Sequence, residues 1–211
     1  DFYKKGLIYR AQKLINWCPK SLTVLSDLEV IFEEREGKLW HIKYPLVDNP
    51  SEGLVVATTR PETLLGDVAV AVHPDDERYK KWIGKKLLLP FTQREIPIIA
   101  DSFVEQGFGS GVVKITPAHD FTDFEVGTRH NLPLLNVFTP DARIVKNLPN
   151  EAAQFAGMDR FVARKKIVEL LKDSGHLVKE EAYKTRIGIS ERGGVPVEPY
   201  LSYQWFCKMD T

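Results

Sequence analysis

Residues Phe108–Phe124 read FGSGVVKITPAHDFTDF and predict a short strand that ends at a proline just before a helix. Glycines precede the apolar run Val112–Thr116, and Pro117 has no N–H with which to continue a ladder. Asp120 is a typical N-cap for a helix over Phe121–His130. A strand and a helix joined this closely predict that the polar side chains at the junction share one site.

The polar side chains of this stretch form a chemically useful set. Strand alternation places Lys114 and Thr116 on one face. Asp120 and Asp123 are three residues apart, so both carboxylates can point the same way. With His119, the segment gathers an ammonium, a hydroxyl, an imidazole and two carboxylates. A pair of acids can hold a substrate ammonium, and a lysine can hold an oxygen or position water.

The same residues also have an ordinary structural interpretation. Asp120 would cap the helix, Asp123 would favour the helix dipole, and His119 would be a loop residue. A metal site would need a further strong ligand at suitable spacing, which the stretch does not offer, so no metal is predicted. No Gly-x-Ser-x-Gly motif supports a serine nucleophile.

Two other segments carry candidate binding groups. Thr58–Thr63 reads TTRPET, and hydroxyls with a guanidinium at a strand end suit a ligand that carries oxygens. The alternative is a capped turn with Arg60 as a surface charge. Arg160–Lys166 is a basic run, which could contact an RNA backbone or form a solvated helix face.

The distribution of short strands predicts the fold class. The chain is expected to be α+β and β-rich, with a closed or partly open β-barrel core of about six short strands decorated with helices. The predicted strands are Leu54–Thr59, Val68–Val72, Lys86–Pro90, Ile96–Ala100, Val112–Thr116 and Leu134–Thr139. The predicted helices are Pro74–Trp82, Phe121–His130 and Arg160–Ser174.

The two ends of the chain differ from its middle and predict a three-part organisation. Residues 1–29 and 186–211 are expected to be linker ribbons that pair with each other, and residues 30–185 to form the compact domain. The chain begins at Asp1 rather than at a methionine, so we expect it to be a segment cut from a larger protein.

Composition excludes several classes of protein. Lys+Arg and Asp+Glu are both 29 among 211 residues, so the chain lacks the basic excess of a general nucleic-acid coat. No apolar run approaches the ~18 residues of a membrane span, so no membrane partner is predicted. Two cysteines are too few for a disulfide scaffold and are typical of a reducing, cytoplasmic compartment.

Taken together, the TTRPET and GSGVVKITPAHD segments resemble the connective editing insertion of the class I aminoacyl-tRNA synthetases for valine, isoleucine and leucine. Arg60–Thr63 is similar to the valine branch, whereas leucine relatives usually read Arg-Pro-Asp-Thr and isoleucine relatives usually have a Trp-Thr pair. Other segments that look valyl are Asn16–Pro19, Leu25–Val30, Ala71–Tyr79 and Gln204–Phe206. The resemblance covers nearly the whole chain.

The resemblance implies a β-barrel editing domain inserted into a Rossmann catalytic domain. The His-Ile-Gly-His and Lys-Met-Ser-Lys-Ser type signatures of that catalytic domain do not occur here. The implied activity is hydrolysis of the ester of mischarged threonyl-tRNA(Val), with the tRNA 3′ end and the parent catalytic domain as partners and no cofactor. The alternatives are an isoleucyl- or leucyl-type editing domain and a non-catalytic module that binds the tRNA 3′ end.

The resemblance also implies roles for particular residues. Asp123 looks like the anchor for the substrate ammonium. Lys114, Thr116 and Asp120 look like pocket residues near the threonine side chain and the attacking water, and Phe108 like a wall against the terminal adenine. The implied catalytic residues are Lys114, Asp120 and Asp123, and the implied substrate-binding residues are Thr58, Thr59, Arg60, Thr63, Phe108, Thr116 and His119.

One departure from the family pattern concerns zinc. Relatives often carry two Cys-x-x-Cys pairs in the ribbon that flanks the insertion. Here the corresponding stretches are Cys18–Ser21 and Ser190–Gly194, and only Cys18 supplies a thiol. Because one thiol cannot complete a tetrahedral four-ligand site, no structural zinc is expected.

Overall fold

A computed structural model describes residues 1–107 and 109–209 of the chain. Its strands are β1 (Ile8–Cys18), β2 (Thr23–Leu25), β3 (Val30–Pro45), β4 (Gly53–Thr58), β5 (Ala69–Val72), β6 (Lys86–Leu88), β7 (Glu95–Ala100), β8 (Val112–Ile115), β9 (Leu177–Ser190) and β10 (Glu198–Cys207). Its α-helices are α1 (Phe121–Arg129) and α2 (Arg160–Asp173), and its 3-10 turns are Asp27–Glu29, Pro61–Gly66, Lys80–Trp82 and Asn150–Phe155.

The described strands form three sheets. One has the order β10-β1-β2, the second β4-β3-β9 and the third β6-β7-β5-β8. The β5–β7 pair is parallel and the other pairs are antiparallel. The sheet-rich α+β class predicted from the sequence is therefore confirmed.

The prediction of a closed barrel is wrong for the described residues. The second and third sheets approach each other through an isolated bridge between Leu46 and Leu87 and through the Ser110 hydroxyl, which donates to the Val55 carbonyl at 2.6 Å. These single contacts link the sheets without a continuous ladder. Gly109 and Gly111 both have positive φ, so the chain bends as it enters β8 instead of extending the pairing.

Five of the six predicted short strands match observed ones, namely β4 to β8, to within two residues at each end. The sixth, Leu134–Thr139, is not a strand and makes only the isolated bridge Phe138–Ile144. Pro133 and Pro140 flank it, and each lacks the N–H that a ladder requires. The apolar run is buried nonetheless, because Val137 and Phe138 pack into the core.

Two predicted helices are confirmed and one is wrong. Phe121–His130 and Arg160–Ser174 match α1 and α2. Pro74–Trp82 forms turns that end in a short 3-10 segment. Asp76 accepts the backbone N–H of Arg78 at 3.1 Å and pairs with its guanidinium, which favours a local turn over a helix.

The two longest strands of the second sheet, β3 and β9, were not among the predicted strands. Their outer halves, such as Phe32–Lys38, are mostly exposed and charged on both faces, so no clean apolar alternation marks them. Cross-strand pairs such as Lys38 with Glu180 lie along this antiparallel pair. β9 continues through residue 185 to Ser190, across the proposed boundary of the compact domain.

The two ends of the chain do pair with each other, as predicted. β1 and β10 are antiparallel from Ile8 opposite Cys207 to Trp17 opposite Glu198. Leu14 and Leu201 of this ribbon are buried against Ala118, and Phe124 packs beside them. The β1–β10 ribbon is therefore docked on the stretch of chain that carries the candidate catalytic residues.

The largest apolar cluster lies between the second and third sheets and under α2. It includes Ile42, Tyr44, Leu64, Leu87 and Phe155, which are fully buried. Neither α1, with 9 residues, nor α2, with 14, is long and apolar enough to cross a membrane.

Cys18 lies at the turn of the ribbon, next to the second stretch that the zinc expectation named. Its Sγ accepts the Ser21 N–H at 3.4 Å, and a Cβ at Gly193 would lie 2.5 Å from it. The thiol is thus packed tightly against glycine and serine rather than against further thiols.

We expect the purified chain to hold less than about 0.1 zinc per molecule and to keep its melting temperature within about 1 °C in the presence of EDTA, because a structural zinc site would contribute folding free energy. Elemental analysis and a thermal melt with and without the chelator measure this. About one zinc per chain, with melting lowered by EDTA, would contradict the expectation.

Candidate functional site

A cavity of about 240 Å³ opens where β4 and β8 end and α1 begins. The lining side chains are Leu39, Ala57, Thr58, Thr59, Arg60, Thr63, Val113, Lys114, Thr116, His119, Asp120, Asp123 and Tyr183. It joins two segments that are about fifty residues apart in sequence, TTRPET and VVKITPAHD. The candidate residues of the two segments therefore belong to one site.

The floor of the cavity is a network around the Lys114 ammonium. Its Nζ donates to Thr63 Oγ1 and to Asp67 Oδ1, each at 3.1 Å, and to Thr116 Oγ1. An ammonium has three N–H donors, so the protein accepts all of them. Lys114 therefore fixes two hydroxyls and has no donor left for a substrate oxygen in this arrangement.

Asp67 is the acid that balances this lysine. It is fully buried and also accepts hydrogen bonds from the Thr116 hydroxyl and, at 2.6 Å, from the Tyr44 hydroxyl. Burial raises the pKa of Asp67, whereas Lys114 and the hydrogen bonds oppose that rise. Burial and the Asp67 charge together raise the pKa of Tyr44 well above its ordinary value, so Tyr44 remains a donor.

The two hydroxyls of the floor have fixed proton positions. Thr116 donates its proton to Asp67, and Thr63 donates its proton to the Arg60 carbonyl at 3.0 Å. Each oxygen also accepts one proton from Lys114, and a hydroxyl oxygen has two lone pairs. Thr63 and Thr116 can therefore each accept one more hydrogen bond.

The first turn of α1 supplies the two carboxylates. Asp120 is exposed and accepts the Asp123 N–H at 3.1 Å, so it caps the helix as its structural interpretation predicted. Asp123 is buried, and its Oδ2 accepts the Thr116 N–H at 2.7 Å. That bond ties the start of the helix to the end of β8 and turns the Asp123 carboxylate toward the cavity.

The protonation of Asp123 is strongly perturbed. Burial raises its pKa to about 7, with Asp120 adding to the rise and Lys114 opposing it. A carboxylate with few compensating hydrogen bonds in a partly dry cleft is poised to gain a cationic partner.

His119 faces the core rather than acting as an exposed loop residue. Its Nε2 accepts the Val137 N–H at 2.9 Å, and its ring packs edge-on against Phe138 with centroids 4.7 Å apart. Burial, with Arg60 and Lys114 nearby, lowers the pKa of His119 to about 3. The imidazole is therefore neutral with its Nε2 lone pair engaged, which leaves it unsuited to act as a general base through that atom.

Arg60 closes one side of the cavity. It donates to the His119 carbonyl at 3.1 Å and pairs with two buried acids, Glu62 and Glu198. Glu62 also holds Arg164 through two contacts of 2.7 Å. The Arg60 guanidinium is thus a fixed wall rather than the free surface charge of the alternative interpretation.

The basic run Arg160–Lys166 is divided between two environments. Arg160 is buried and pairs with Glu198 at 3.1 Å, while Arg164 pairs with Glu62. Lys165 is exposed. Neither earlier interpretation, an RNA contact or a solvated face, describes Arg160 and Arg164, whose charges balance buried acids.

A larger groove of about 540 Å³ adjoins the cavity and shares Thr59, Arg60 and Asp120 with it. Aromatic side chains stacked with guanidinium groups line its rim, with Arg186 over Phe32 and Arg164 over Phe161. The cavity therefore adjoins a groove of about 540 Å³, compared with its own volume of about 240 Å³.

Nine of the ten predicted site residues line the cavity, and the tenth, Phe108, lies outside the described residues. Sequence reasoning missed Asp67, Tyr44 and Glu198. Asp67 could have been found, because an acid within the apolar run Leu64–Val72 needs a buried partner. Glu198 carries no comparable local signal.

Comparison with known proteins agrees with the valyl resemblance. Valine–tRNA ligases of Geobacter sulfurreducens and Listeria monocytogenes are each 57% identical, over 98% and 99% of this chain and 23% of their own length. That of Nostoc sp. is 56% identical over 99% of this chain and 20% of its own length. The chain thus spans about a fifth to a quarter of these curated relatives.

A solved structure shows the same fold. The ternary complex of Agrobacterium radiobacter K84 LeuRS with tRNA and LeuAMS matches 94% of this chain and 32% of that chain, with a TM-score of 0.51 and 16% sequence identity. A family model described as tRNA synthetases class I (I, L, M and V) matches residues 1–211. The chain belongs to the class I tRNA synthetases of the isoleucine, leucine, methionine and valine group.

Proposed function

We propose that this chain is the editing domain of a valyl-tRNA synthetase and that it hydrolyses the ester of mischarged threonyl-tRNA(Val). The observation that carries the proposal is the convergence of Lys114, Asp120 and Asp123 on one small cavity in a chain of this family. Its volume of about 240 Å³ suits an amino-acid side chain, and the adjoining groove can take the end of a nucleic acid.

The need for such a site follows from the similarity of valine and threonine. An apolar aminoacylation site that binds valine rejects threonine, an isostere with an added hydroxyl, only weakly. The discrimination is about a hundredfold in the known case of valyl-tRNA synthetase. A second site must therefore recognise the hydroxyl itself.

The floor of the cavity supplies that recognition. The Thr63 and Thr116 hydroxyls each donate a hydrogen bond to the protein, and each oxygen keeps one free acceptor position. A threonine hydroxyl can donate to either oxygen, whereas a valine methyl would bury both acceptors without partners, at a cost of about 1–3 kcal/mol. Lys114 and Asp67 hold these oxygens in place, so the preference needs no movement of the site.

The carboxylates orient the substrate. In the proposed complex the ionised Asp123 binds the substrate α-ammonium, which compensates for the burial of its charge. Asp120, exposed at the mouth, contacts the attacking water. Water adds to the ester carbonyl, the bond to the ribose oxygen breaks, and free threonine and the tRNA hydroxyl are released. Because an aminoacyl ester is already labile, orientation accounts for most of the acceleration.

The first prediction from this proposal concerns substrate choice. The chain should hydrolyse threonyl-tRNA(Val) at least about tenfold faster than valyl-tRNA(Val), because only threonine satisfies the floor acceptors. Loss of labelled amino acid from each tRNA, corrected for hydrolysis without protein, measures the two rates. Equal rates would remove the proposed specificity, and binding of both tRNAs without hydrolysis of either would support the non-catalytic module instead.

The second prediction concerns Asp123. Asp123→Ala should lower deacylation of threonyl-tRNA(Val) by at least about a hundredfold, since both the charge-assisted bond and the ester alignment are lost. The melting temperature should change little, because relief of the buried charge and of its repulsion with Asp120 is offset by the loss of the acceptor for the Thr116 N–H.

A matched control lies on the same helix. Glu125 is exposed and points away from Asp123, about 200° around the helix axis. Glu125→Ala should leave deacylation near normal. If Asp123→Ala also retains near-normal deacylation, Asp123 is only a helix-dipole residue.

The third prediction is a pH dependence that arises from the same carboxyl. Because the pKa of Asp123 lies at about 7, it is mostly protonated below that pH and cannot pair with the ammonium. The catalysed kcat/KM should therefore fall about tenfold per pH unit below pH 7 and level off above it. In Asp123→Asn the residual rate, corrected for spontaneous hydrolysis, should lack this step. A step that persists in Asp123→Asn would assign it to another group.

The stability of the free chain should have the opposite pH trend. The folded pKa of Asp123 is raised above its usual value of 3.8, so the folded state holds a proton that the unfolded state has lost between about pH 4 and 7. Its contribution to stability is present below pH 4 and is lost as the pH rises to 7. Denaturant unfolding at pH 8 should therefore find Asp123→Asn more stable than the parent chain.

A further inference from the structure

We propose that Glu198, on the β1–β10 ribbon, positions Arg60 in the cavity wall, so that the returning ribbon is a working part of the editing site rather than a linker. This inference rests on the proposed function. Glu198 is a positioning residue in this scheme, since it lines the groove and acts on the cavity through Arg60.

Glu198 lies at the first position of β10, opposite Trp17 of β1. Its carboxylate is 2% exposed. Both of its oxygens accept from Arg60 Nη2, with the Oε2 contact at 2.7 Å, and Oε1 also lies 3.1 Å from Arg160 Nη1. One ribbon carboxylate therefore holds two guanidinium groups from two different elements.

The donors of Arg60 are almost all committed by these contacts. A guanidinium has five N–H donors. Two Nη2 donors go to Glu198, one Nη1 donor goes to the His119 carbonyl at 3.1 Å, and Nε points to Glu62 at 3.4 Å. The remaining Nη1 donor is the one that the cavity wall can offer to a substrate oxygen. Its direction is set by the plane that Glu198 imposes.

The two other acids that act on Arg60, Glu62 and Asp120, already have partners of their own. Glu62 is buried and already engaged by Arg164 through two contacts of 2.7 Å. Asp120 is exposed and caps α1. Neutralising Glu198 would remove the acid that pairs with Arg160 and would leave Arg60 with the 3.4 Å contact to Glu62. Arg60 would then be drawn toward Asp120 across the mouth of the cavity.

Contacts outside the β1–β10 pairing hold the ribbon in place, and they fix the position of the Glu198 carboxylate. Leu14 and Leu201 bury against Ala118, the residue before His119. The Trp17 indole donates to the Pro140 carbonyl at 2.7 Å. Arg160 Nη2 donates to the Pro196 carbonyl at 2.8 Å, just before β10. The ribbon and the residues just before β10 are thus joined to three separate segments, at Ala118, Pro140 and Arg160.

The test compares Glu198→Gln with Asp101→Asn in the full 211-residue chain. Asp101 is a matched control, because it is also buried and holds an arginine, Arg129, at 2.9 Å, but does not line the cavity or the groove. Glutamine keeps the size of Glu198 and one acceptor while it removes the charge.

Two readouts are measured on each variant. We expect Glu198→Gln to lower kcat for threonyl-tRNA(Val) by about tenfold or more, with KM changed less than about threefold. The reason is that a displaced Arg60 guanidinium misaligns the ester while the substrate still binds. Side-chain ¹⁵N NMR should show the Arg60 guanidinium signals broadened or lost. Asp101→Asn should change neither, although both variants lower the melting temperature.

The outcomes separate the inference from the function on which it rests. Unchanged kcat and unchanged Arg60 signals in folded Glu198→Gln would overturn the inference and leave the proposed function standing. An inactive parent chain would sink the proposed function, while the Arg60 signals still decide whether Glu198 positions it. Should Glu198→Gln fail to fold, Glu198→Asp keeps the charge but withdraws it by one methylene, and is judged by the same signals.

Discussion

The site depends on one buried carboxylate, Asp67, and on the need to compensate its charge. An ionised acid in a fully buried position is costly unless cations and donors surround it. Lys114 and Thr116 at the end of β8 and Tyr44 of β3 meet that need. In meeting it they fix the direction of every polar group on the cavity floor. The substrate preference that we propose is therefore a by-product of satisfying Asp67.

The same construction recurs around the entrance. Glu62 and Glu198 are buried, and three arginines, Arg60, Arg160 and Arg164, compensate for them. Such fixed charges and dipoles need no reorganisation when a substrate binds, and this is the kind of stabilisation that preorganised sites use. Hydrolysis of a labile aminoacyl ester needs little beyond such orientation of the substrate and water. The absence of an activated nucleophile from the lining of the cavity is consistent with a mechanism in which water is oriented rather than replaced.

The sequence was a good guide wherever chemistry was local. Lys114 and Thr116 alternate along one strand, and Asp120 and Asp123 share one helical turn, so spacing alone placed each pair on a common face. Spacing could not show that the Lys114 ammonium donates all of its hydrogen bonds to the protein, because its partners Thr63 and Asp67 lie 51 and 47 residues away. The β3–β9 pair was missed for a related reason, because charged residues on both faces hide the alternation and the pairing joins residues far apart in sequence.

The contrast between Asp67 and Glu198 shows where such reasoning ends. Asp67 interrupts an apolar run, so its burial could have been inferred from its neighbours. Glu198 lies in Val197-Glu198-Pro199, a stretch that is typical of an exposed turn or an edge strand. It is buried only because two arginines from distant segments meet there. A boundary drawn by composition therefore separates residues 186–211 from the compact domain, whereas the contacts of Glu198, Leu201 and Trp17 join the ribbon to it. These contacts place the ribbon against the segments that line the cavity.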